Sequence, residues 1–303
     1  MRFDELKMNN FFKRYGQLIG KDVKNLEALR YGQIPKSLRV NTLKIDEKTI
    51  VRRLRDEKVE LKKIHFLKNG YYYNAKFSLG STPEYLLGYY YLQEAAAQIP
   101  AEVLAPTNKD IVLDMASSPG GKTTQIAGLM KNEGAIIALD INNRIDALKN
   151  NIERLGVRNC IVYDKDAHHL DFDIEFDRIL LDAPCSGNFL IDKEWFSKRS
   201  VQQFEKMSVL QKELIKSGIG KLKKGGVLVY STCSLEPEEN EFVIDYALRN
   251  FDVKLEKIEI PIGEEGITEA FGKKLNSEIK LCKRFWPHKT GTEGFFVAKM
   301  RKM

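Results

Sequence analysis

Cysteine is scarce: four in 303 residues, too few for the dense disulfide framework that small secreted domains use in place of a core. No apolar run approaches the roughly 18 to 20 residues that a membrane-crossing helix needs. The opening Met1-Arg2-Phe3-Asp4-Glu5-Leu6-Lys7 also lacks the apolar stretch of a secretion signal. Proline is sparse at nine residues, and 43% hydrophobic with 30% charged residues is not a disordered composition. Internal repeats and low-complexity tracts are absent. The expectation is a soluble, cytoplasmic protein of one large or two ordinary domains.

What is present is an uneven charge. Residues 1–80 carry a net +10, residues 81–272 a net −10 and residues 273–303 a net +7. Basic ends of this size suit a polyanion such as nucleic acid, although a solvated lysine surface has the same composition. The distinction depends on the chemistry of the acidic middle.

The first eighty residues predict a small α+β unit. Residues 5–30 have helical spacing, with Leu6, Phe11, Phe12, Tyr15, Leu18 and Ile19 on the apolar side. Ser37–Leu43 alternates as a strand, and Asp46 can cap an arginine-rich helix over 47–57. Strands near 59–66 and 71–79 flank the Asn69-Gly70 turn. Thr82 before Pro83 is a cap and first turn, and predicts a long helix to about Leu104. From residue 110, five β-branched runs (111–115, 134–141, 159–163, 176–181 and 225–230) alternate with helices over 121–131, 143–155 and 200–223, and a further helix fits 237–250. This pattern predicts an α/β fold, a mostly parallel sheet with helices on both faces. Phe295–Met300 is expected as an antiparallel edge strand. The expected domains are 1–80 and 81–303.

The predicted strand ends carry carboxylates: Asp114, Asp140 and Asp182, with Asp166 shortly after the third strand. Ligands of open α/β sheets bind at that edge. The first strand runs into Ala116-Ser117-Ser118-Pro119-Gly120-Gly121-Lys122-Thr123. A P-loop would need glycine where Ala116 stands, and no dinucleotide fingerprint is present. An S-adenosylmethionine pocket fits better. Asp114 and the glycine turn would hold the methionine part, Asp140 the ribose hydroxyls and Asp166 the adenine amine.

Two thiols follow the fourth and fifth strands, in Asp182-Ala183-Pro184-Cys185-Ser186-Gly187 and Ser231-Thr232-Cys233-Ser234. Cys160 and Cys282 have the positions of small buried hydrophobes, and no set of ligands for a metal is apparent. A thiolate adding to carbon 6 of a pyrimidine makes carbon 5 nucleophilic enough to take a methyl group, and a second thiol could assist release. Asp182 could hold ring nitrogen 3. The spacing alone does not choose between Cys185 and Cys233 as the nucleophile.

Taken together, these segments resemble the Nol/Nop/Sun group of RNA cytosine carbon-5 methyltransferases. The resemblance runs from about Ser37 to Ala298. It includes Ser37–Leu43, Gln93-Glu94-Ala95-Ala96, Pro119–Thr123, both cysteine segments, Glu238-Glu239-Asn240-Glu241 and Gly294-Phe295-Phe296-Val297-Ala298. It implies Cys233 as nucleophile and Cys185 in product release, with Lys122 and Asp182 touching the cytosine and Phe295 packing on its ring. The implied donor pocket is Ala116, Ser117, Ser118, Pro119, Gly120, Gly121 and Lys122 with Asp140, Arg144, Asp166 and Asp182. Short archaeal members of the group imply an N-terminal unit that is RNA-recognition-like and a tRNA substrate; the expected protein is a monomer. Ribosomal RNA is the second choice, and a non-catalytic RNA assembly factor the alternative from another class. Ala116-Ser117-Ser118 replaces the usual Cys-Ala-Ala, and Trp286 stands where phenylalanine is frequent.

Overall fold

The computed structural model describes residues 3–29 and 34–303, with side chains from residue 7 onward. Helix α1 (Phe3–Ile19) is followed by a 3-10 turn (Gly20–Asp22) and α2 (Val23–Ala28), so the single helix expected over 5–30 is broken at Gly20. Arg30 and the Leu6 side chain lie outside the described residues. Phe11, Phe12, Tyr15 and Leu26 do not pack on the small unit expected at 1–80. They join Phe189, Trp195, Phe196, Phe204, Leu235 and Trp286 in a cluster on the larger domain.

The small unit is a four-stranded antiparallel sheet in the order β2 (Glu60–Lys63), β3 (Gly70–Asn74), β1 (Ser37–Val40), β4 (Tyr90–Leu92), with helix α3 (Glu47–Asp56) against it. Asp46 caps α3 by accepting from the Thr49 N–H at 2.9 Å, as the sequence predicts. The long helix expected over 82–104 is not formed. Thr82 does cap a helix, α4 (Pro83–Leu86), but Gly88 turns the chain at φ +73° and β4 then pairs with β1, with Leu38 opposite Leu92. The fourth strand thus comes from beyond residue 80. A Cβ at position 88 would lie 2.0 Å from the Arg154 carbonyl oxygen, a close approach that only glycine permits. Helix α5 (Ile99–Leu104) resumes after a 3-10 turn at Ala96–Gln98.

The larger domain alternates β5 (Ile111–Asp114), α6 (Gly121–Leu129), β6 (Ala135–Asp140), α7 (Arg144–Leu155), β7 (Cys160–Asp164), β8 (Phe176–Asp182), α8 (Trp195–Lys198), α9 (Val201–Lys221), β9 (Leu222–Thr232) and α10 (Glu241–Asn250). The remaining elements are β10 (Val253–Leu255), β11 (Glu264–Glu265), a hairpin β12 (Glu269–Ala270) and β13 (Lys273–Lys274), β14 (Lys283–Phe285), α11 (Pro287–Thr290) and β15 (Phe295–Lys302). The main sheet has the order β11-β14-β15-β9-β8-β5-β6-β7, with β10 also pairing β15. Strands β5 to β9 are parallel and β15 runs antiparallel to β9. Phe295–Met300 is therefore an interior strand, not an edge. Strand β14 continues the sheet on its far side because Lys283–Phe285 pairs with Phe295–Val297.

Buried apolar clusters cover both faces of the sheet, one containing Leu113, Ile179, Leu214, Leu228 and Phe296, the other Val112, Ile126, Leu180, Val229 and Phe295. Successive strand residues point to opposite faces, which separates Phe295 from Phe296. Arg39 of β1 joins the two units. It is buried, and donates to the Gly121 carbonyl at 2.6 Å and to Thr124 Oγ1 at 2.8 Å. Asn41 adds bonds to the Gly88 and Leu155 carbonyls, both at 2.8 Å.

Candidate active site

The carboxyl ends of β5, β6, β8 and β9 form one edge, and the residues singled out from the sequence gather there. Residues 115–120 leave β5 and turn back on Gly120, at φ +101°, to start α6. Ser117 is fixed by its N–H on the Leu139 carbonyl (2.9 Å) and its hydroxyl on the Asp114 carbonyl (2.9 Å). The Ser118 N–H donates to Asp140 Oδ2 at 2.8 Å, and the Pro119 carbonyl accepts from Asn151 at 2.8 Å. Arg144 lies at 3.4 Å from Asp140 Oδ1 and donates to the Ser118 carbonyl at 3.1 Å. Ala116, Gly120 and Gly121 supply small residues to the same loop. Asp166 sits farther out, exposed at the rim beyond β7, where its Oδ1 accepts from the His168 N–H at 2.9 Å.

Asp114 is fully enclosed at the base of this loop. Thr123 donates to its Oδ2 at 2.7 Å, whereas Oδ1 is buried with no partner among the described residues. Burial pushes its carboxyl up to about 7, against the opposing bond from Thr123. A buried carboxylate oxygen without a donor is costly unless something supplies one. A ligand ammonium would do so, and residues 116–121 beside it are small. S-adenosylmethionine fits these groups, and when bound it supplies an electrophilic methyl group.

Across the edge, β8 and β9 are parallel neighbours, with Asp182 opposite Ser231. Their carboxyl ends bring the Cys185 and Cys233 sulfur atoms to 3.1 Å. Asp182 lies between the thiols and the donor loop, pairing with Lys122 Nζ at 2.6 Å and accepting from the Ser231 hydroxyl at 2.7 Å. Burial would lower the Lys122 ammonium, but Asp182 outweighs it and holds Lys122 above its ordinary value. The same ammonium lies 5.6 Å from the centre of the buried Phe295 ring. The hydrogen bond to Cys233 and then burial push the Cys185 thiol well up.

Proteins of known family are similar to this chain along most of its length. Residues 101–301 match the family described as 16S rRNA methyltransferase RsmB/F, and residues 8–95 the N-terminal domain of 16S rRNA methyltransferase RsmF. The chain belongs to the RsmB/F methyltransferase family. It is 41% identical to the tRNA (cytosine(49)-C(5))-methyltransferase of Pyrococcus abyssi over 96% of this chain and 94% of that protein. It is 39% identical to the 28S rRNA (cytosine-C(5))-methyltransferase of Mus musculus, covering 91% of this chain but 36% of the relative. The chain thus spans about a third to a half of the length of several curated relatives that it matches. Among solved structures, a methyltransferase homolog from Pyrococcus horikoshii superposes with TM-score 0.89 at 43% identity, covering 96% of this chain and 94% of that one. NSun6 from the same organism, solved with SFG, gives 0.85 at 30% identity, covering 96% and 97%. The fold is that of S-adenosylmethionine-dependent methyltransferases.

Three residues at this RsmB/F site had no role from the sequence. Asn188 donates to the Cys233 carbonyl at 2.8 Å and to the Gly294 carbonyl at 3.3 Å, linking the two cysteine segments to the Phe295 strand. Glu94 accepts from the Ala96 N–H at 2.6 Å and the Glu293 N–H at 3.1 Å. Glu239 lies beneath both thiol loops. The signal was available: Glu94 and Glu239 lie in segments that carry the resemblance, yet neither position has a chemistry legible from spacing.

Proposed function

We propose that this protein transfers a methyl group from S-adenosylmethionine to carbon 5 of a cytidine in RNA through a covalent Cys233–cytosine adduct. One observation carries the proposal: two thiols 3.1 Å apart, beside an Asp182–Lys122 pair, on the same sheet edge as the Asp114 and Asp140 carboxylates. Cys233 adds to carbon 6. Asp182 holds the cytosine ring edge, the Lys122 ammonium opposes the negative charge building on the ring, and Phe295 packs on the base. After methylation at carbon 5, that carbon loses its proton, the carbon 5–carbon 6 double bond re-forms and the Cys233 sulfur leaves. The Cys185 S–H, 3.1 Å away, donates to that departing sulfur, which lowers the barrier to release.

The proposed substrate is tRNA. The relative matched along nearly its whole length is named for tRNA, whereas the 28S and 25S relatives are two to three times longer than this chain. In this proposal the basic unit, drawn at 1–80 from the sequence and completed by β4, grips phosphates ahead of the 81–303 domain. Exposed Arg52, Arg53 and Arg55 on α3 with Lys62 and Lys63 on β2 supply the charge. The target base must leave its stack to reach Cys233, at a cost of a few kcal/mol, which favours loop or junction cytidines. We place the enzyme in the cytoplasm as a monomer; no described helix is long and apolar enough to cross a membrane. The test is incubation with methyl-labelled S-adenosylmethionine and either bulk tRNA or ribosomal RNA. Labelled 5-methylcytidine from tRNA is expected. Label only in ribosomal RNA would reassign the substrate, and none in either would remove the activity.

A further inference from the structure

Each catalytic-edge cysteine is followed by a serine, and both serines meet on one buried carboxylate. Ser186 donates its N–H to Glu239 Oε2 at 2.9 Å and its hydroxyl to Oε1; Ser234 donates its hydroxyl to Oε1 at 3.1 Å. The two hydroxyl oxygens are themselves 3.3 Å apart. Gln211 of α9 adds a bond to Oε2 at 3.0 Å and a second to the Pro184 carbonyl at 2.8 Å. Glu239 is fully buried.

Its acidic neighbours differ in kind. Glu236 and Glu238 pair with Arg14, and Glu241 with Arg284. Glu239 alone of the four meets only neutral donors among the described residues. A buried carboxylate is costly without a cation, and ion pairing with Arg would have stabilised it more simply. Four donors from three segments converge on this one group, and Ser186 and Ser234 each adjoin a cysteine, so the carboxylate fixes the loops relative to one another. Its negative charge is also among the causes that raise the Cys185 thiol.

We propose that Glu239 is a positioning residue that sets the separation of the two thiols and thereby the rate at which the methylated RNA is released. The inference rests on the methyl-transfer function proposed above. In the release step the carbon 5–hydrogen bond breaks and its proton passes to water. Its electron pair forms the carbon 5–carbon 6 double bond, and the carbon 6–sulfur bond breaks with its pair leaving on Cys233. The Cys185 S–H reaches that sulfur only while Glu239 holds Ser186 and Ser234 together.

The test compares wild type with Glu239→Gln, whose amide NH2 opposes the donors of Ser186 or Gln211. The first readout needs no RNA: diamide oxidation should close a Cys185–Cys233 disulfide at least tenfold more slowly in the variant. The second uses RNA and S-adenosylmethionine: kcat should fall at least tenfold, with an RNA adduct accumulating on a denaturing gel and donor affinity within twofold of wild type. Disulfide closure at the wild-type rate with kcat within twofold would overturn the proposal, as would loss of turnover without an adduct. If Glu239→Gln does not fold, Ser186→Ala with Ser234→Ala is judged by the same outcomes. A wild-type protein that methylates no RNA would remove the proposed function, and the disulfide rate would then decide alone whether Glu239 positions the thiols.

Discussion

At the residue scale, the proposed division of labour between Cys185 and Cys233 rests on the 3.1 Å contact of their sulfur atoms. The bond to Cys233 and burial push the Cys185 thiol up; in the proposed mechanism Cys185 is the donor and Cys233 attacks. Cys233→Ala is expected to abolish turnover and adduct formation, whereas Cys185→Ala should let the adduct accumulate; a denaturing gel of RNA-bound protein distinguishes the two. Asp114 gives a pH signature. Its carboxyl is raised to about 7 in the folded protein, so it contributes stability that is present in acid and lost as pH climbs from about 4 towards 7. A cationic ligand favours the ionised form and so releases a proton on binding. Affinity for S-adenosylmethionine should therefore rise with pH up to about 7 and level off above it. Asp114→Asn should flatten that dependence, and calorimetric titrations between about pH 5.5 and 8.5 would measure both.

At the scale of elements, the legible parts were those whose period and caps agree. The β5–α6–β6–α7 alternation, the Asp46 cap and the carboxylate-bearing strand ends all follow from local pattern. Two elements were misjudged because a tertiary pairing overrides propensity. Residues 82–104 have a strong helix start, yet Gly88 lets the chain fit under the Arg154 carbonyl and releases Tyr90–Leu92 to β1. Phe295–Lys302 looks terminal in sequence, but β14 shields it. Ion pairs that hold these late elements were not legible, since partners lie far apart in the chain. Arg284 of β14 donates to Glu241 of α10 at 2.5 and 2.7 Å and to the Leu235 carbonyl at 2.8 Å, all buried. Arg284→Ala leaves Glu241 buried and unpaired, and is expected to destabilise the protein by about 3–5 kcal/mol, read by denaturant unfolding. Arg284→Lys should recover only part, because a point charge cannot reproduce the bidentate geometry.

At the scale of the molecule, part of the basic N-terminal charge is spent inside the fold. Arg14 and Arg39, counted in the +10 of residues 1–80, are committed to internal partners: Arg14 to Glu236 and Glu238, Arg39 to Gly121 and Thr124. Arg52, Arg53 and Arg55 of α3 and Lys62 of β2 remain exposed, and the proposed phosphate contacts use them. Composition could not reveal this, because net charge carries no information about which cations are buried. RNA affinity is expected to fall steeply, on the order of tenfold or more, between low and moderate salt if several phosphates are contacted. Replacing Arg52, Arg53 and Arg55 with alanine should reduce that slope by about one per lost phosphate contact, without changing donor affinity.

The identity of the attacking sulfur is tested most directly by trapping. RNA transcribed with 5-fluorocytidine has no carbon 5 proton to lose, so the methylated adduct cannot resolve. Mass spectrometry of the digested complex is expected to find the nucleotide on the peptide containing Cys233. Attachment at Cys185, or no attachment at either sulfur under conditions where the same RNA binds, would contradict the assignment.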